Sequence, residues 1–422
     1  MNTNTIHTGD AFDVLPDLPD QSVHAVVTDP PYGLAFMGRD WDDFKPKEYQ
    51  EWCEEWAREC KRVLKPGGHL LAFSGNRTHH RLFTGVEDAG FEIRDTLTWH
   101  YGSGFPKASD VSKTIDKRAD AEREVVGQTE KAKQVSDESR AATAGKSQSG
   151  ETVHAPKSEP ATDAAKKWDG WKTGLKPATE FVVMARKPYD GATVDSVLEN
   201  GTGALNIDAC RITTDDDLSG GATTDKPRES DLSGDNRTDA GKGMFSEGSN
   251  PDIEPAEGRY PANVVFDEAA ADALDREVGE LAGCARTPQT GTGRNTSDAP
   301  TRNDPDERIE LESGGPSRYF YTSKASRSER TEGGAIQNDH PTVKPIDLME
   351  WLIKLVTREG QVVLDPFAGS GTTCKAAKAL NREFVGIERQ AKWADVARVR
   401  CGLSPDDPSV VREDGQGGLD EW

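Results

Sequence analysis

Apolar positions along the chain gather into two blocks separated by long polar stretches. The first block runs from about Ile6 to Tyr101. Within it Val23 to Thr28 (VHAVVT) reads as a buried strand, ending in the rigid turn Asp29-Pro30-Pro31-Tyr32-Gly33. From about Pro46 to Leu64, the residues Tyr49, Trp52, Cys53, Trp56, Cys60, Val63 and Leu64 recur at three- and four-residue steps, which is one face of a helix. Pro66-Gly67-Gly68 stops that helix. His69 to Ser74 is the next strand, followed by a helix around His79 to Ala89 and a strand from Phe91 to Tyr101. The second block opens near His340, with a helix over about Ile346 to Arg358 and a strand over Gln361 to Leu364. A glycine-rich turn (Asp365 to Thr373), a helix (Thr373 to Leu380), a strand (Glu383 to Ile387, closed by Glu388) and a helix (Lys392 to Val399) complete it. Strands alternating with helices predict an α/β fold with a mostly parallel sheet covered on both faces.

The intervening chain is different in kind. From about Lys107 to Ala165 it is polar and reads as a partly helical insertion, and Glu180 to Lys187 (EFVVMARK) returns as a strand. Residues from about Asp215 to Glu257 are rich in Gly, Asp, Ser and Thr and lack apolar periodicity, so they read as loop. Tyr260 to Phe266 and Ser317 to Thr322 are short ordered patches. Composition agrees: only 34% of the residues are hydrophobic, low for a fully packed chain of 422.

Two motifs carry chemistry. In VVLDPFAGSGTT a strand ends in Asp365, a Gly-x-Gly turn follows, and a helix begins; Glu388 comes 17 residues after Gly371, at the end of the next strand. Glycines let backbone approach a ligand, a helix N-terminus offers N–H donors, and an acid at the next strand end can accept from ribose hydroxyls. That pattern suits a dinucleotide or S-adenosylmethionine, but the third glycine of the dinucleotide fingerprint is missing. In Asp29-Pro30-Pro31-Tyr32, two prolines remove two N–H donors and leave acceptors, the Asp29 carboxylate and the Pro30 carbonyl. Two acceptors suit an exocyclic amino group, and Tyr32 offers a ring on which an extruded base can stack.

Together, Asp29-Pro30-Pro31-Tyr32 and Asp365-Pro366-Phe367-Ala368-Gly369-Ser370-Gly371 resemble the DNA amino-methyltransferases, their order resembles the circularly permuted β group, and Gly174-Leu175-Lys176-Pro177 and Tyr260-Pro261-Ala262-Asn263-Val264 resemble its phage- or archaeal-type members. Thr8-Gly9-Asp10 is similar to the segment whose acid contacts the cofactor adenine, and His340-Pro341-Thr342-Val343-Lys344-Pro345 to the segment lining its methionine end. The resemblance implies a seven-stranded, mostly parallel sheet with one antiparallel edge hairpin and an irregular target-recognition region. It implies S-adenosylmethionine as cofactor, held by Asp10, Thr342, Lys344, Asp365, Pro366, Phe367, Gly369, Ser370, Gly371, Thr372 and Glu388, with Asp29 to Tyr32 catalytic. It divides the chain into a catalytic half (1–106), the polar insertion (107–163), a return strand (164–189), a target-recognition region (190–335), a cofactor half (336–405) and an acidic tail (406–422). An Asp-initiated tetrapeptide is commoner among adenine-N6 enzymes than cytosine-N4 ones, so site-specific methylation of adenine N6 in duplex DNA, by base flipping and direct transfer, is the expected reaction. No Pro-Cys nucleophile is apparent that would support a covalent carbon-5 route.

The formal charge of −22 argues against a nucleic-acid partner unless the surface is adapted to concentrated salt, and the scattered acids favour the second reading, a high-salt host or its virus. Two stretches keep positive charge beside aromatic rings: Ala164 to Pro188, with Lys172, Lys176, Trp168 and Trp171, and Arg318 to Arg330, with Lys324 and Arg327. These four cations are candidate DNA contacts. No metal is expected, since the six cysteines form no zinc-ligand spacing and His79-His80 has no third ligand nearby. The N-terminus lacks an apolar stretch and no run approaches a membrane span, so an intracellular, cytoplasmic enzyme is expected. It would act as a monomer or homodimer, alone or beside a cognate restriction endonuclease. The alternative within the family is a cytosine-N4 DNA methyltransferase, and the rival readings outside it are a nicotinamide-dependent oxidoreductase, which leaves Asp29 to Tyr32 without a task, an amino-methyltransferase of RNA or protein, and a DNA-binding protein that has lost catalysis.

Overall fold

The structure, a computed structural model, describes residues 1–34, 44–102, 104, 108–133, 153–214, 258–281, 314–323, 331–332, 336, 338, 340 and 343–410. They divide into two compact units, one drawn from residues 1–102 and 179–410, the other from residues 104–178.

The larger unit is built on one sheet. Its strands are β1 (Thr5–Thr8), β2 (Val23–Thr28), β3 (Leu64–Ser74), β4 (Glu92–His100), β7 (Thr179–Arg186), β8 (Val264–Asp267), β9 (Tyr321–Ser323), β10 (Val362–Asp365) and β11 (Glu383–Glu388). They lie in the order β1-β11-β10-β2-β3-β7-β4-β8-β9. All neighbours pair in parallel except β7, which runs antiparallel to both β3 and β4. The mostly parallel α/β architecture is as the alternation of strands and helices indicates. The count differs: the sheet has nine strands rather than seven, and the reversed strand is interior rather than at an edge. The reason is that β8 and β9, drawn from the region expected to be irregular, add to β4 in parallel and carry the edge outward.

Side chains alternate across the sheet with period two. Ala25, Val27, Leu71, Phe73 and Val363 face a core roofed by α8 (Ile346–Val356), α9 (Thr372–Ala379) and α10 (Ala391–Arg400). Val26, Leu70, Ala72, Val362 and Leu364 face the other core, roofed by α2 (Pro46–Val63) and α3 (His79–Asp88). The periodic face of α2 buries Tyr49, Cys53, Trp56, Cys60 and Val63. Pro66-Gly67-Gly68, expected to end the helix before the strand begins, instead lies inside β3, where the register against β2 slips between Val23 and Ala25. Helices α1 (Ala11–Val14), α6 (Thr193–Asn200) and α7 (Glu268–Val278) complete the described α-helices of this unit.

The smaller unit holds α4 (Val111–Arg118), α5 (Asp163–Lys167) and the antiparallel pair β5 (Val125–Lys133) and β6 (Val153–Ser158). Its hub is the buried Asp116 carboxylate, which accepts from Arg123, the Ala161 and Thr162 N–H groups and the Thr162 hydroxyl. Those donors hold its carboxyl at about 2 against the opposing effect of burial. The described residues of the polar insertion are thus tied together by a satisfied ion pair.

Candidate active site at the strand ends

In a parallel sheet the carboxyl ends of the strands share one rim. Asp10 follows β1, Glu388 ends β11, Asp365 ends β10 and Asp29 follows β2, so four of the predicted site residues stand on four consecutive strands. The two motifs, more than 300 residues apart, meet directly: the Thr28 hydroxyl donates to the Asp365 carboxylate at 2.6 Å.

The Asp29 turn is clamped from α2. The Tyr49 hydroxyl donates to the Pro31 carbonyl at 2.8 Å. Gly33 has φ +65° and a Cβ there would fall 2.7 Å from the Tyr49 ring, so the turn demands glycine. Pro30 is buried behind it.

Both oxygens of the Asp29 carboxylate are engaged. The Tyr32 hydroxyl donates to Oδ1 at 2.7 Å and the Lys344 ammonium to Oδ2 at 2.5 Å. Glu180, at the start of β7, joins them: its Oε2 lies 3.0 Å from the Tyr32 hydroxyl and 3.3 Å from Lys344 Nζ. Lys344 is only 8% exposed and sits between the Tyr32 and Phe73 rings, 5.5 and 4.9 Å from their centres. Burial and the two carboxylates raise the Tyr32 phenol well above its ordinary range. Burial alone would lower the Lys344 ammonium, but Asp29 and Glu180 outweigh it and raise it. Glu180 carried no motif in the sequence; it reaches the site because β7 runs backwards, bringing its first residues to the rim where the other strands end.

Across the rim the glycine turn is pinned from several sides. Gly369 N–H donates to Glu388 Oε2 at 2.9 Å and Gln390 N–H to its Oε1 at 2.7 Å. Gly371 has φ +79° and a Cβ there would lie 2.7 Å from that of Ala397. The Ser370 and Thr372 hydroxyls turn toward the buried Arg400, at 3.1 and 3.0 Å, and so brace the turn from behind. Phe367 packs against Trp52 and Trp56 at 5.4 and 5.5 Å, with Pro366 buried beside it. Burial raises Asp365 to about 6, with Asp29 adding to the rise and bonds from Thr28, Thr373 and Phe367 opposing it. Burial raises Glu388 likewise. Asp10 caps α1 through the Phe12 N–H at 3.1 Å and faces Arg389 at 3.6 Å.

This donor set fits S-adenosylmethionine. Carboxylates on three adjacent strand ends offer acceptors to hydroxyl and amino groups and compensation to a cation. The glycine turn opens α9, and Phe367 supplies an aromatic surface.

Lys172 belongs to the smaller unit, where it pairs with Asp110, and Lys176 is exposed on the same unit. Trp168 and Trp171 meet edge to face at 5.0 Å and remain exposed. Thr342, Lys324 and Arg327 lie outside the described residues, as does the 215–257 segment. No cluster of potential metal ligands occurs among the described residues, and no helix among them is long and apolar enough to cross a membrane.

The family described as N6/N4 DNA methylase matches residues 23–398. A type II methyltransferase of Haemophilus influenzae, M.HindIII, is 22% identical over 438 residues, covering 94% of this chain and 95% of the relative. M.HpaI of Haemophilus parainfluenzae is 33% identical over 111 residues, 25% of this chain and 34% of its own. Among solved structures, the M1.HpyAVI complex with S-adenosylmethionine is 16% identical with a TM-score of 0.39, covering 94% of this chain and 99% of its own. The cytosine-N4-specific PvuII DNA methyltransferase is 13% identical with a TM-score of 0.43, covering 96% and 92%. With the family match spanning most of its length, the chain belongs to the S-adenosylmethionine-dependent N6/N4 DNA methylases.

Proposed function

We propose that this DNA methylase transfers a methyl group to the exocyclic amino group of a base flipped out of duplex DNA, with adenine N6 as the target. The observation that carries the reading is the hydrogen bond between Thr28 and Asp365, which ties the amino-acceptor turn to the glycine turn on neighbouring strands. Bound S-adenosylmethionine supplies an electrophilic methyl. Asp10, Asp365, Phe367, Gly369 and Glu388 hold it, and Ser370, Gly371 and Thr372 keep the turn in shape. The Asp29 carboxylate accepts from the target amino group, drawing the nitrogen toward tetrahedral geometry and concentrating its lone pair. Pro30 and Pro31 bring no competing N–H donors. The Tyr32 ring gives the base a stacking surface. The proton released on transfer has Asp29 as its nearest acceptor.

Adenine is favoured by the Asp-initiated tetrapeptide; cytosine N4 fits the same acceptor geometry and is the second reading. The permuted motif order supports the β group, with the catalytic strand β2 preceding the cofactor strand β10 in sequence yet adjoining it in the sheet. The exposed Trp168 and Trp171 beside Lys172 and Lys176 support a DNA-contacting role for the smaller unit. Incubation of the purified protein with unmethylated duplex and isotope-labelled S-adenosylmethionine, followed by base analysis, tests the reading. Label in N6-methyladenine is expected, with loss of at least about a thousandfold in Asp29→Ala at unchanged cofactor binding. Undiminished transfer by Asp29→Ala contradicts it.

A further inference from the structure

We propose that Glu180 is a positioning residue, a reserve acceptor that takes over Lys344 and the Tyr32 hydroxyl when a target amino group comes onto Asp29. The inference rests on the reading of Asp29 as the amino-group acceptor. Without DNA, each Asp29 oxygen already has a donor, Tyr32 at 2.7 Å and Lys344 at 2.5 Å, so an arriving amino group competes with them for the carboxylate. A displaced ammonium cannot simply be left unpaired: Lys344 is 8% exposed, and a buried charge without a counter-ion is strongly disfavoured. Among the described residues, Glu180 is the other carboxylate within ion-pair distance, at 3.3 Å. The same oxygen, Oε2, lies 3.0 Å from the Tyr32 hydroxyl. That hydroxyl has one hydrogen and serves one carboxylate at a time. A small shift of Lys344 with a turn of the phenol hydrogen therefore frees Asp29 while every buried donor keeps an acceptor.

The arrangement has a consequence that a purely structural ion pair lacks. Removing the Glu180 charge leaves Asp29 as the sole anion for Lys344, so the ammonium competes harder with the neutral amino group. Removing Lys344 leaves two carboxylates with no cation between them, which drives one to keep a proton and weakens Asp29 as an acceptor. Removing both restores a lone Asp29. The two losses therefore partly cancel instead of adding.

The test is a double-substitution cycle on the full chain, with a long unmethylated duplex of mixed sequence. It measures kcat/KM for DNA, cofactor affinity and the thermal midpoint. Glu180→Gln and Lys344→Met are each expected to lower kcat/KM by about tenfold or more, and the double variant to exceed both. Glu180→Gln should bind cofactor within about threefold of wild type, and Glu180→Asp, which keeps the charge, should stay within about threefold in kcat/KM. A double variant at or below the weaker single overturns the proposal, as does a Glu180→Asp enzyme as impaired as Glu180→Gln. Undiminished transfer by Asp29→Ala in the same assay sinks the parent reading instead, so the two failures are distinguishable.

Discussion

The charge states of single carboxyls at the rim set how the site responds to pH. Asp365, raised to about 6 by burial, takes up a proton on mild acidification, and burial raises Glu388 in the same direction. A cationic cofactor binds best to the ionised forms, so its affinity is expected to hold near neutrality and fall as pH drops through about 6. Calorimetric titration between pH 5 and 8 measures this, and an affinity flat across that range would remove Asp365 from the site. Backbone constraint is equally local. Gly371→Ala would force a side chain into φ +79° and against Ala397, at a cost of about 2–4 kcal/mol, read as a lower unfolding midpoint and weaker cofactor binding. Residues of this kind were legible in the sequence, because Asp29, Asp365 and Gly371 belong to short contiguous patterns. Lys344 was legible only through the resemblance of its flanking segment, and without its contacts. Glu180 was not legible, since its partners lie 148 and 164 residues away and no local spacing records them.

At the scale of elements, apolar periodicity located most strands and helices of the two apolar blocks to within a residue or two, β2 (Val23–Thr28) without error, but placed the start of β3 five residues late and did not mark α6 or α7. It failed where the apolar signal is short. β1 (Thr5–Thr8) has one buried residue, and β9 (Tyr321–Ser323) spans three residues, so neither announces itself as part of a sheet. Their strand character comes from pairing with β11 and β8, a tertiary contribution. The sheet interior also carries two histidines held neutral. His24 on β2 accepts the Val362 N–H at 3.1 Å through Nδ1, and His69 on β3 is 3% exposed; burial lowers each to about 4. Because the folded values lie below the unfolded one near 6.5, each contributes stability above pH 6.5 that is lost as pH falls toward 4. Asp365 acts in the opposite sense, its contribution greatest at low pH and lost as pH rises through about 6. The His69 part is isolated by comparison with His69→Gln. Wild-type stability should fall more steeply between pH 6.5 and 4.5 than the variant's, by urea titration, and identical slopes would contradict the assignment.

At the scale of the molecule, a formal charge of −22 is a self-repelling surface that salt screens. The thermal midpoint is expected to rise with potassium chloride into the molar range; a midpoint insensitive to salt would argue against adaptation to a saline interior. On the proposed reading, such a surface would leave DNA affinity to local features, the basic and aromatic stretch of the smaller unit and stacking at Tyr32, rather than to overall attraction. The central claim concerns the product. Single-molecule sequencing of DNA from cells expressing the wild type and Asp29→Ala tests it most directly. A new N6-methyladenine at one short motif, absent with the variant, is the predicted result. N4-methylcytosine would contradict the choice of base, and an unmodified genome with folded protein would contradict the claim that this site transfers methyl groups to DNA.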